Sequence, residues 1–277
     1  MAESASAAGS HLAVDGARLR YRVDGQGPGV LLVHGWTLDL DMWEAQAAAL
    51  ARDFRVVRLD RRGFGLSSGR PSIAADVADV HALCRHLALE RVALVGMSQG
   101  ARVVARFAAA HAPMISCAVL DGPPRLDAAP AADEPSDLPY AHYRTLVRTQ
   151  GLAAFRREWR RHPLARLRTE DPPTHALLDR MLARYTGRDL IAPAPASAAA
   201  AQGAPLESIS CPVLLLNGEF DLPSRKDYAA RIRARLAHAE FAEIPGAGHL
   251  SNLDNPRVYE QVLHGFLRRH ALPSTDH

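Results

Sequence analysis

The sequence predicts an α/β fold in which helices cover both faces of a mostly parallel sheet. Residues 29–33, 92–95 and 212–216 are apolar throughout, which is typical of strands buried on both faces. Between such runs lie stretches with apolar residues three and four apart, clearest in residues 73–89, and this spacing favours helices. Buried strands that alternate with helices are typical of parallel sheets.

The N-terminal segment predicts an antiparallel edge on this sheet. Residues 1–10 are small and polar, and we expect a flexible tail there. Short alternating runs at residues 11–14 and 19–23 flank the pair Asp15-Gly16, and this combination favours a β-hairpin. The hairpin would supply the first two strands of the sheet.

The remaining elements of the sheet domain follow from periodicity alone. Strands are predicted at residues 29–33, 54–59, 92–95, 115–120, 212–216 and 241–244. Helices are predicted at residues 42–52, 73–89, 98–111 and 258–270. Strands and helices therefore alternate over the first half of the chain, and the pattern returns near the C-terminus.

The alternation stops between the two halves of this domain. Residues 127–139 are rich in proline, alanine and acids, and residues 192–196 alternate alanine with proline, so both segments indicate loops or linkers. Helices are predicted between them, at residues 152–162 and 175–185. The predicted organisation is a tail (1–10), a core domain (11–123 and 206–277) and a helical insertion (124–205).

Composition argues against several classes of partner. Hydrophobic residues make up 48% and charged residues 23% of the chain, which is ordinary for a globular protein. The net charge is +3, but the arginines are spread along the chain rather than gathered in a basic stripe, so we expect no nucleic-acid partner. No run approaches the roughly 18 apolar residues of a membrane span, and we expect no membrane partner.

Cysteine usage and the N-terminus point to a reducing compartment. Cys84, Cys117 and Cys211 are far apart, so they fit neither a disulfide framework nor a zinc site, and we expect buried free thiols. The first residues lack the basic start and apolar core of a secretory signal. We therefore expect a cytoplasmic protein, whose oligomeric state the sequence leaves open, a homodimer being one option.

The strongest chemical signal is the segment Gly96-Met97-Ser98-Gln99-Gly100. It fits G-x-S-x-G and lies directly after a predicted strand and before a predicted helix, the context in which this motif holds a nucleophile. Glycine-rich loops also contain the pattern by chance. Here the sharp turn would lift the serine hydroxyl above the sheet, beside the partial positive charge of the helix N-terminus. Ser98 is therefore the candidate nucleophile.

A serine hydroxyl at its ordinary pKa needs a general base. The segment Gly246-Ala247-Gly248-His249 follows the last predicted strand, and its glycines allow the loop to turn back over the sheet. Among the 13 histidines, His249 has the position along the chain that is expected of the base. We expect it to be the base.

Three acids compete for the role of orienting this histidine. Asp221 and Glu219 follow the strand at residues 212–216, and Asp121 ends the strand before the insertion. All three satisfy the order of nucleophile, acid and histidine. We expect Asp221, with Asp121 as the alternative acid.

The motifs together resemble the α/β-hydrolase superfamily. In order they are His34-Gly35-Trp36, the run Asp60-Arg61-Arg62-Gly63-Phe64-Gly65-Leu66-Ser67, the Ser98 segment, Gly218 with Asp221, and Gly248-His249. The resemblance covers residues 12–267 apart from the insertion. It is greatest to the group of small bacterial esterases, enol-lactonases and cofactor-free haloperoxidases.

This resemblance implies an α/β-hydrolase fold in which the insertion forms a helical cap over the site. It also implies that the backbone N–H groups of Trp36 and Gln99 form an oxyanion hole. That role agrees with physics, because Gln99 starts a helix directly after the candidate nucleophile. Asp60 and Arg62 are expected to hold their loop together rather than to act in catalysis.

Residues 152–162 predict an amphipathic helix whose basic face has two interpretations. Apolar side chains fall on one face, and the other face largely carries Arg156, Arg157, Arg160 and Arg161. A solvated basic face is the structural interpretation. An electropositive cap that draws in anionic substrates is the functional one.

The predicted reaction is acyl transfer from a small carboxylic ester or lactone to water, with a small-molecule substrate and no metal or organic cofactor. A carbon–carbon bond hydrolase acting on a diketone-type acid would use the same three residues. A non-catalytic small-molecule receptor on this fold is a further alternative. Epoxide hydrolases and haloalkane dehalogenases, by the same resemblance, would need an aspartate in place of Ser98.

Overall fold

The computed structural model describes residues 9–126, 137–192, 206–236 and 238–271 of the 277-residue chain. Within these residues the strands are β1 (Ser10–Val14), β2 (Ala17–Asp24), β3 (Gly29–Val33), β4 (Arg55–Leu59), β5 (Val92–Met97), β6 (Ile115–Asp121), β7 (Val213–Gly218) and β8 (Ala239–Ile244). The helices are α1 (Glu44–Leu50), α2 (Ile73–His86), α3 (Gln99–Ala110), α4 (Tyr140–Trp159), α5 (Pro172–Arg184), α6 (Arg188–Ile191), α7 (Pro223–Arg235), α8 (Ser251–Asp254) and α9 (Pro256–His270).

The described strands form one mostly parallel sheet in the order β1-β2-β4-β3-β5-β6-β7-β8. The pairs β1–β2 and β2–β4 are antiparallel, and the remaining pairs from β4 to β8 are parallel. The predicted fold class, including the antiparallel N-terminal edge, is confirmed. Because parallel strands all end at the same edge, the loops after β3, β5, β6 and β7 meet there.

Side chains of the central strands alternate between two hydrophobic cores. Val30 and Leu32 of β3 lie in one cluster, with apolar residues of α1, α9 and the insertion. Leu31 and Val33 lie in the other, with apolar residues of α2 and α3. Successive strand residues point to opposite faces, so helices cover both faces of the sheet, as the uniformly apolar runs predict.

Several element boundaries differ from the predicted ones. β1 begins at Ser10, so the predicted tail of residues 1–10 extends too far; residues 1–8 lie outside the described part of the chain. The helix predicted at residues 42–52 is a 3₁₀ turn, Leu40–Trp43, followed by α1. Helix α7 was not predicted, because it is rich in charged residues and buries only a few side chains.

The described part of the insertion contains three helices, α4 to α6. The helix predicted at residues 152–162 is the second half of α4, which Gly151 interrupts with φ 80° and ψ 170°. The predicted helix at 175–185 is α5, which starts three residues earlier. Much of the predicted loop at 127–139 and of the linker at 192–196 lies outside the described residues, and the division into core and cap stays a prediction.

Two further observations concern the membrane and the cysteines. No helix in the described residues combines the length and the apolar character needed to cross a bilayer. Cys84, Cys117 and Cys211 are free and buried, as predicted, and burial raises the pKa of the Cys84 and Cys117 thiols to about 12. These thiols are therefore uncharged at neutral pH.

Candidate active site

Ser98 lies in a sharp turn between β5 and α3. Its backbone has φ 52° and ψ −114°, a region that non-glycine residues adopt only under strain. Its N–H donates to the carbonyl of Asp121 at 2.7 Å, which fixes the turn to the neighbouring strand. A Cβ on Gly96 would lie 2.4 Å from the carbonyl oxygen of Gly100, and one on Gly100 would lie 2.3 Å from that of Val33. Both glycines are therefore required by close packing, as the motif predicts.

His249 and Asp221 form a buried pair at the same edge of the sheet. The imidazole Nδ1 lies 2.9 Å from Asp221 Oδ1 and 3.0 Å from Oδ2. Asp221 follows β7, and His249 follows the turn after β8. The two side chains are nearly inaccessible, at 2% and 0% exposure. Nδ1 bonded to a carboxylate carries the ring proton, so Nε2 is left with its lone pair.

Asp221 is held in its ionised form by its neighbours. Burial by itself raises the pKa of this carboxyl, but attraction to His249 and hydrogen bonds from His249 and Asn217 lower it below its usual value. Asn217 Nδ2 donates to Asp221 Oδ2 at 3.0 Å, and the N–H of Leu222 donates to Oδ1 at 2.8 Å. The carboxylate is thus charged and fixed in place at neutral pH.

The other two candidate acids have different partners. Asp121 accepts hydrogen bonds from Ser251 Oγ at 3.1 and 3.4 Å, and burial together with the charge of Asp221 raises its pKa to about 8. Glu219 is exposed and accepts from the N–H of Gly246 at 2.8 Å. Of the three acids, the described contacts bring only Asp221 to the His249 imidazole.

Ser98 and His249 line one cavity of about 310 Å³. His249 Nε2 is buried and has no hydrogen-bond partner among the described residues, so the structure contains no Ser98–His249 hydrogen bond. Hydrogen bonds between a nucleophile and its base often tighten only when substrate is bound. The site therefore contains an imidazole nitrogen without a hydrogen-bond partner, on a residue that lines the same cavity as Ser98.

The cavity lies between the strand ends and the inserted helices. Residues from the core and from the insertion both form its wall: Trp36, Thr37, Leu38, Met97, Ser98, Gln99, Arg102, Pro124, Asp137, Leu138, Tyr140, Trp159, Leu164, Ala165, Arg225, His249 and Leu250. The wall is thus largely apolar and aromatic, with a few charged side chains. Such a lining is typical of sites for small molecules.

The loop after β3 is fixed by a histidine that the motif analysis gave no separate role. His34 Nε2 accepts from the N–H of Arg61 at 2.9 Å, so its Nδ1 donates to the carbonyl of Gly35 at 2.7 Å. Burial, with the Arg61 charge, lowers the pKa of His34 to about 3. The imidazole is therefore neutral and ties the loop that carries Trp36 to the loop after β4.

The backbone N–H groups of Trp36 and Gln99 remain available at the cavity. Both residues line it, and the hydrogen bonds of the described residues include none from either N–H. The Gln99 side chain accepts from Arg61 Nη1 at 2.8 Å, which occupies its amide oxygen. This geometry suits the predicted oxyanion role, since unpaired donors can bind a developing negative charge.

The Trp36 side chain has a polar partner that the sequence did not single out. Asp189, in α6, accepts from Trp36 Nε1 at 2.6 Å, from the Tyr140 hydroxyl at 3.0 Å and from the Tyr185 hydroxyl at 2.6 Å. Trp36 also packs against the rings of Tyr140, Tyr185 and Trp159. No local pattern could reveal this, because the bonded residues are 153 positions apart.

The arginines of α4 do not reach the cavity. Arg156 donates to the carbonyls of Ala183 and Tyr185, and Arg160 pairs with Asp179 at 2.9 Å. None of the four arginines of the predicted basic face, Arg156, Arg157, Arg160 and Arg161, belongs to the described cavity wall. Their positions support the structural interpretation, because two of them tie α4 to α5 and its C-terminal residues. The apolar face behaves as predicted, with Phe155 and Trp159 buried.

Asp60 and Arg62 have the structural contacts that were expected. Asp60 accepts from the N–H groups of Leu40 and Leu66, each at 2.8 Å. Arg62 forms a bidentate pair with Asp79, at 2.6 and 2.5 Å. Neither residue lines the described cavity, so both hold the surrounding loops in place.

Comparison with known proteins places the chain in a family. A model of the alpha/beta hydrolase fold matches residues 28–256, and the chain belongs to this family. Among solved structures, a thermophilic esterase from Thermogutta terrifontis is 28% identical, with a TM-score of 0.77, over 91% of this chain and 94% of that one. The enol-lactonase from Burkholderia xenovorans LB400 is 25% identical, with a TM-score of 0.78, over 94% and 100%.

Curated relatives match mostly over shorter regions. A fluoroacetate dehalogenase from a Burkholderia species is 42% identical over 108 residues, which is 36% of this chain and 36% of that protein. An N-formylmaleamate deformylase from Pseudomonas putida is 38% identical over 122 residues, 42% of this chain and 46% of that protein. In both cases the match spans less than half of the relative.

The predicted family and the expectation of an enzyme of the α/β-hydrolase family are therefore confirmed. The relatives differ in the reactions that their names give, so neither reaction nor substrate can be taken from any one of them. Within the described residues, no group of three or more histidine, cysteine, aspartate or glutamate side chains is arranged to hold a metal ion.

Proposed function

We propose that the protein is a serine hydrolase that cleaves a small carboxylic ester or lactone through an acyl-enzyme intermediate. Ser98 is the nucleophile, His249 the general base and Asp221 the acid that orients the imidazole. The observation that carries the proposal is the Asp221–His249 pair, which leaves Nε2 uncommitted in the cavity that also holds Ser98. This arrangement supports proton transfer from a hydroxyl to an imidazole.

In acylation, Ser98 Oγ attacks the ester carbonyl carbon while His249 Nε2 takes the hydroxyl proton. The carbonyl oxygen becomes an oxyanion, which the N–H groups of Trp36 and Gln99 stabilise. The bond to the alcohol oxygen then breaks, and His249 returns the proton to that oxygen. Water, deprotonated by the same imidazole, releases the acid and restores Ser98. Asp221 remains ionised and stabilises the imidazolium.

The ester or lactone assignment rests on the site together with the relatives. The esterase and the enol-lactonase cover nearly all of this chain at 28% and 25% identity. We do not propose dehalogenase activity. The α/β-hydrolase resemblance implies an aspartate nucleophile for that chemistry, and this chain has Ser98. A carbon–carbon bond hydrolase would use the same three residues and is separated from an esterase only by substrate.

The test is a Ser98→Ala variant assayed with short p-nitrophenyl esters. We expect kcat/KM to fall by at least about 10³-fold, with the thermal unfolding midpoint unchanged. A fluorophosphonate should label the wild-type protein at Ser98. Ser251→Ala is the matched control, since Ser251 is bonded to Asp121, and it should still be labelled.

Two results would contradict the proposal. Ester turnover that persists in Ser98→Ala would exclude the serine mechanism. Absence of labelling in the folded wild-type protein would favour the non-catalytic receptor. A parallel screen of esters, lactones and vinylogous diketones distinguishes ester or lactone hydrolysis from carbon–carbon bond hydrolysis. Turnover of the diketones alone would show that the enzyme is a carbon–carbon bond hydrolase.

A further inference from the structure

Two arginines and one carboxylate line the cavity beside Ser98: Arg102, Arg225 and Asp137. Arg225 is buried and bonded to Asp137, with Nε 2.6 Å from Oδ2 and Nη2 3.2 Å from Oδ1. Asp137 also accepts from Ser224 Oγ at 3.0 Å. The single carboxylate of this group is therefore already occupied by Arg225.

Arg102 has no comparable partner. Within the described residues it forms no hydrogen bond and no ion pair, although it lies in the cavity wall and keeps exposed surface. Desolvation by the surrounding protein, and then the charges of Arg225 and Arg106, lower its pKa to about 10, although attraction to Asp137 acts in the opposite direction. The side chain still carries its charge at neutral pH. Within the described residues, the cavity therefore holds a cation without an ion-pair partner of its own, because the nearby Asp137 is paired with Arg225.

The position of Arg102 brings this cation towards the reacting end of the cavity. Ser98 is the residue that precedes α3, and Arg102 lies one turn later. Four residues of helix rise about 6 Å, and helical side chains lean towards the N-terminus of their helix. Both side chains line the same cavity, so a single small molecule can contact both of them.

We propose that Arg102 binds a carboxylate of the substrate, so that the enzyme acts on anionic rather than neutral esters or lactones. This inference rests on the proposed function, because it places the carboxylate a few atoms from a carbonyl attacked by Ser98. It assigns the selection of anionic substrates to α3 of the core, in place of the basic face of α4.

The chemistry of the cavity favours such a partner. A guanidinium matches a carboxylate through two parallel hydrogen bonds. Apolar wall residues, among them Trp36, Leu38 and Leu164, line the same cavity and can contact the carbon skeleton of such a substrate. An anion also relieves the repulsion between Arg102 and Arg225, which a neutral ligand leaves in place.

The test compares matched anionic and neutral substrates. On the acyl side, the pair is mono-p-nitrophenyl glutarate and methyl p-nitrophenyl glutarate, in which the free carboxylate is methylated. On the alcohol side, the pair is 4-acetoxybenzoate and its methyl ester. The measured quantity is the anionic-to-neutral ratio of kcat/KM. Arg102→Gln should lower this ratio about 10- to 100-fold in at least one pair, and Arg102→Lys should lower it less.

Arg106→Gln is the matched control. Arg106 lies one turn further along α3 and outside the cavity wall, so its variant should keep the wild-type ratio. An unchanged ratio for Arg102→Gln in both substrate pairs would overturn the inference. Hydrolysis that depends on Ser98 would still support the proposed function in that case.

A binding measurement decides the inference even if no ester is cleaved. In the Ser98→Ala background, glutarate should raise the unfolding midpoint of the protein with Arg102 intact. It should raise the midpoint less after Arg102→Gln. Equal protection of both variants would overturn the anion site, whereas absent turnover alone would contradict only the proposed function.

Discussion

Two aspartates at the ends of neighbouring strands have opposite ionisation states. Asp121 ends β6 and Asp221 lies just beyond β7, and both are buried. Asp221 accepts from an imidazole, an amide and a backbone N–H, and its pKa is lowered. Asp121 accepts from the Ser251 hydroxyl and faces the charge of Asp221, and its pKa is raised to about 8.

The difference shows that hydrogen-bond donors, rather than burial or strand position, decide which aspartate is ionised and can orient the histidine. Burial disfavours the charge of either carboxyl, but only Asp221 has enough donors to offset that cost. Once Asp221 is charged, it makes ionisation of Asp121 still less favourable. At neutral pH the pair therefore holds one charge, and that charge lies beside His249.

The largest expected effect in this comparison is that of Asp221→Asn. An amide cannot stabilise the imidazolium and favours the wrong imidazole tautomer, so kcat should fall by about 10⁴-fold. Steady-state kinetics with a p-nitrophenyl ester measure the effect. If Asp121→Asn instead caused the large loss, the orienting role would belong to Asp121.

A smaller loss is expected for Asn217→Ala. This change removes a hydrogen bond of 3.0 Å to Asp221, and hydrogen bonds to charged groups contribute enough for about a tenfold fall in kcat. Because Asp221 becomes more basic, the acidic limb of the kcat/KM profile should move to higher pH. A fall in stability without any movement of the pH profile would assign Asn217 a purely structural role.

The smallest effect on activity is expected for Asp121→Asn, within about threefold of wild type, since its neutral form resembles an amide. Its stability effect depends on pH. An unfolded aspartate titrates near about 3.9, so between there and the folded pKa of about 8 the folded protein binds more protons. In the wild type this group therefore reduces the free energy of unfolding as pH rises through that window, by at most about 1.4 kcal/mol per pH unit.

Asparagine does not titrate, so Asp121→Asn should show a smaller decline between about pH 5 and about pH 8. Urea unfolding at the two pH values measures this difference. An equal decline in both proteins would mean that Asp121 is ionised throughout the range and has no raised pKa.

The sequence could predict the fold and two of the three proposed triad residues because their signals are local. Ser98 lies in a short motif between a strand and a helix, and His249 lies in a glycine-rich turn. The choice among Asp221, Asp121 and Glu219 depends on which carboxyl meets the imidazole in three dimensions. Strand order cannot decide that, since all three follow strands that end at the same edge.

Other features were missed for different physical reasons. Helix α7 buries few apolar side chains, so its periodicity is weak. Asp189 contacts Trp36 across 153 positions, a distance that no spacing rule covers. The proximity of Arg102 to Ser98 could have been predicted from the sequence. A residue four positions after the proposed nucleophile lies on the same helical face when the next element is a helix.

Trp36 and its neighbour Thr37 connect the inserted helices to the loop of the proposed oxyanion hole. The Trp36 indole donates to Asp189, and the Trp159 indole donates to Thr37 Oγ1 at 2.8 Å. Redesign of substrate range at Trp159 or Asp189 would therefore disturb the loop that carries the proposed oxyanion donor. Leu164 and Ala165 border the same space with apolar side chains that form no hydrogen bonds, so they are the safer positions at which to enlarge or narrow the range of accepted molecules.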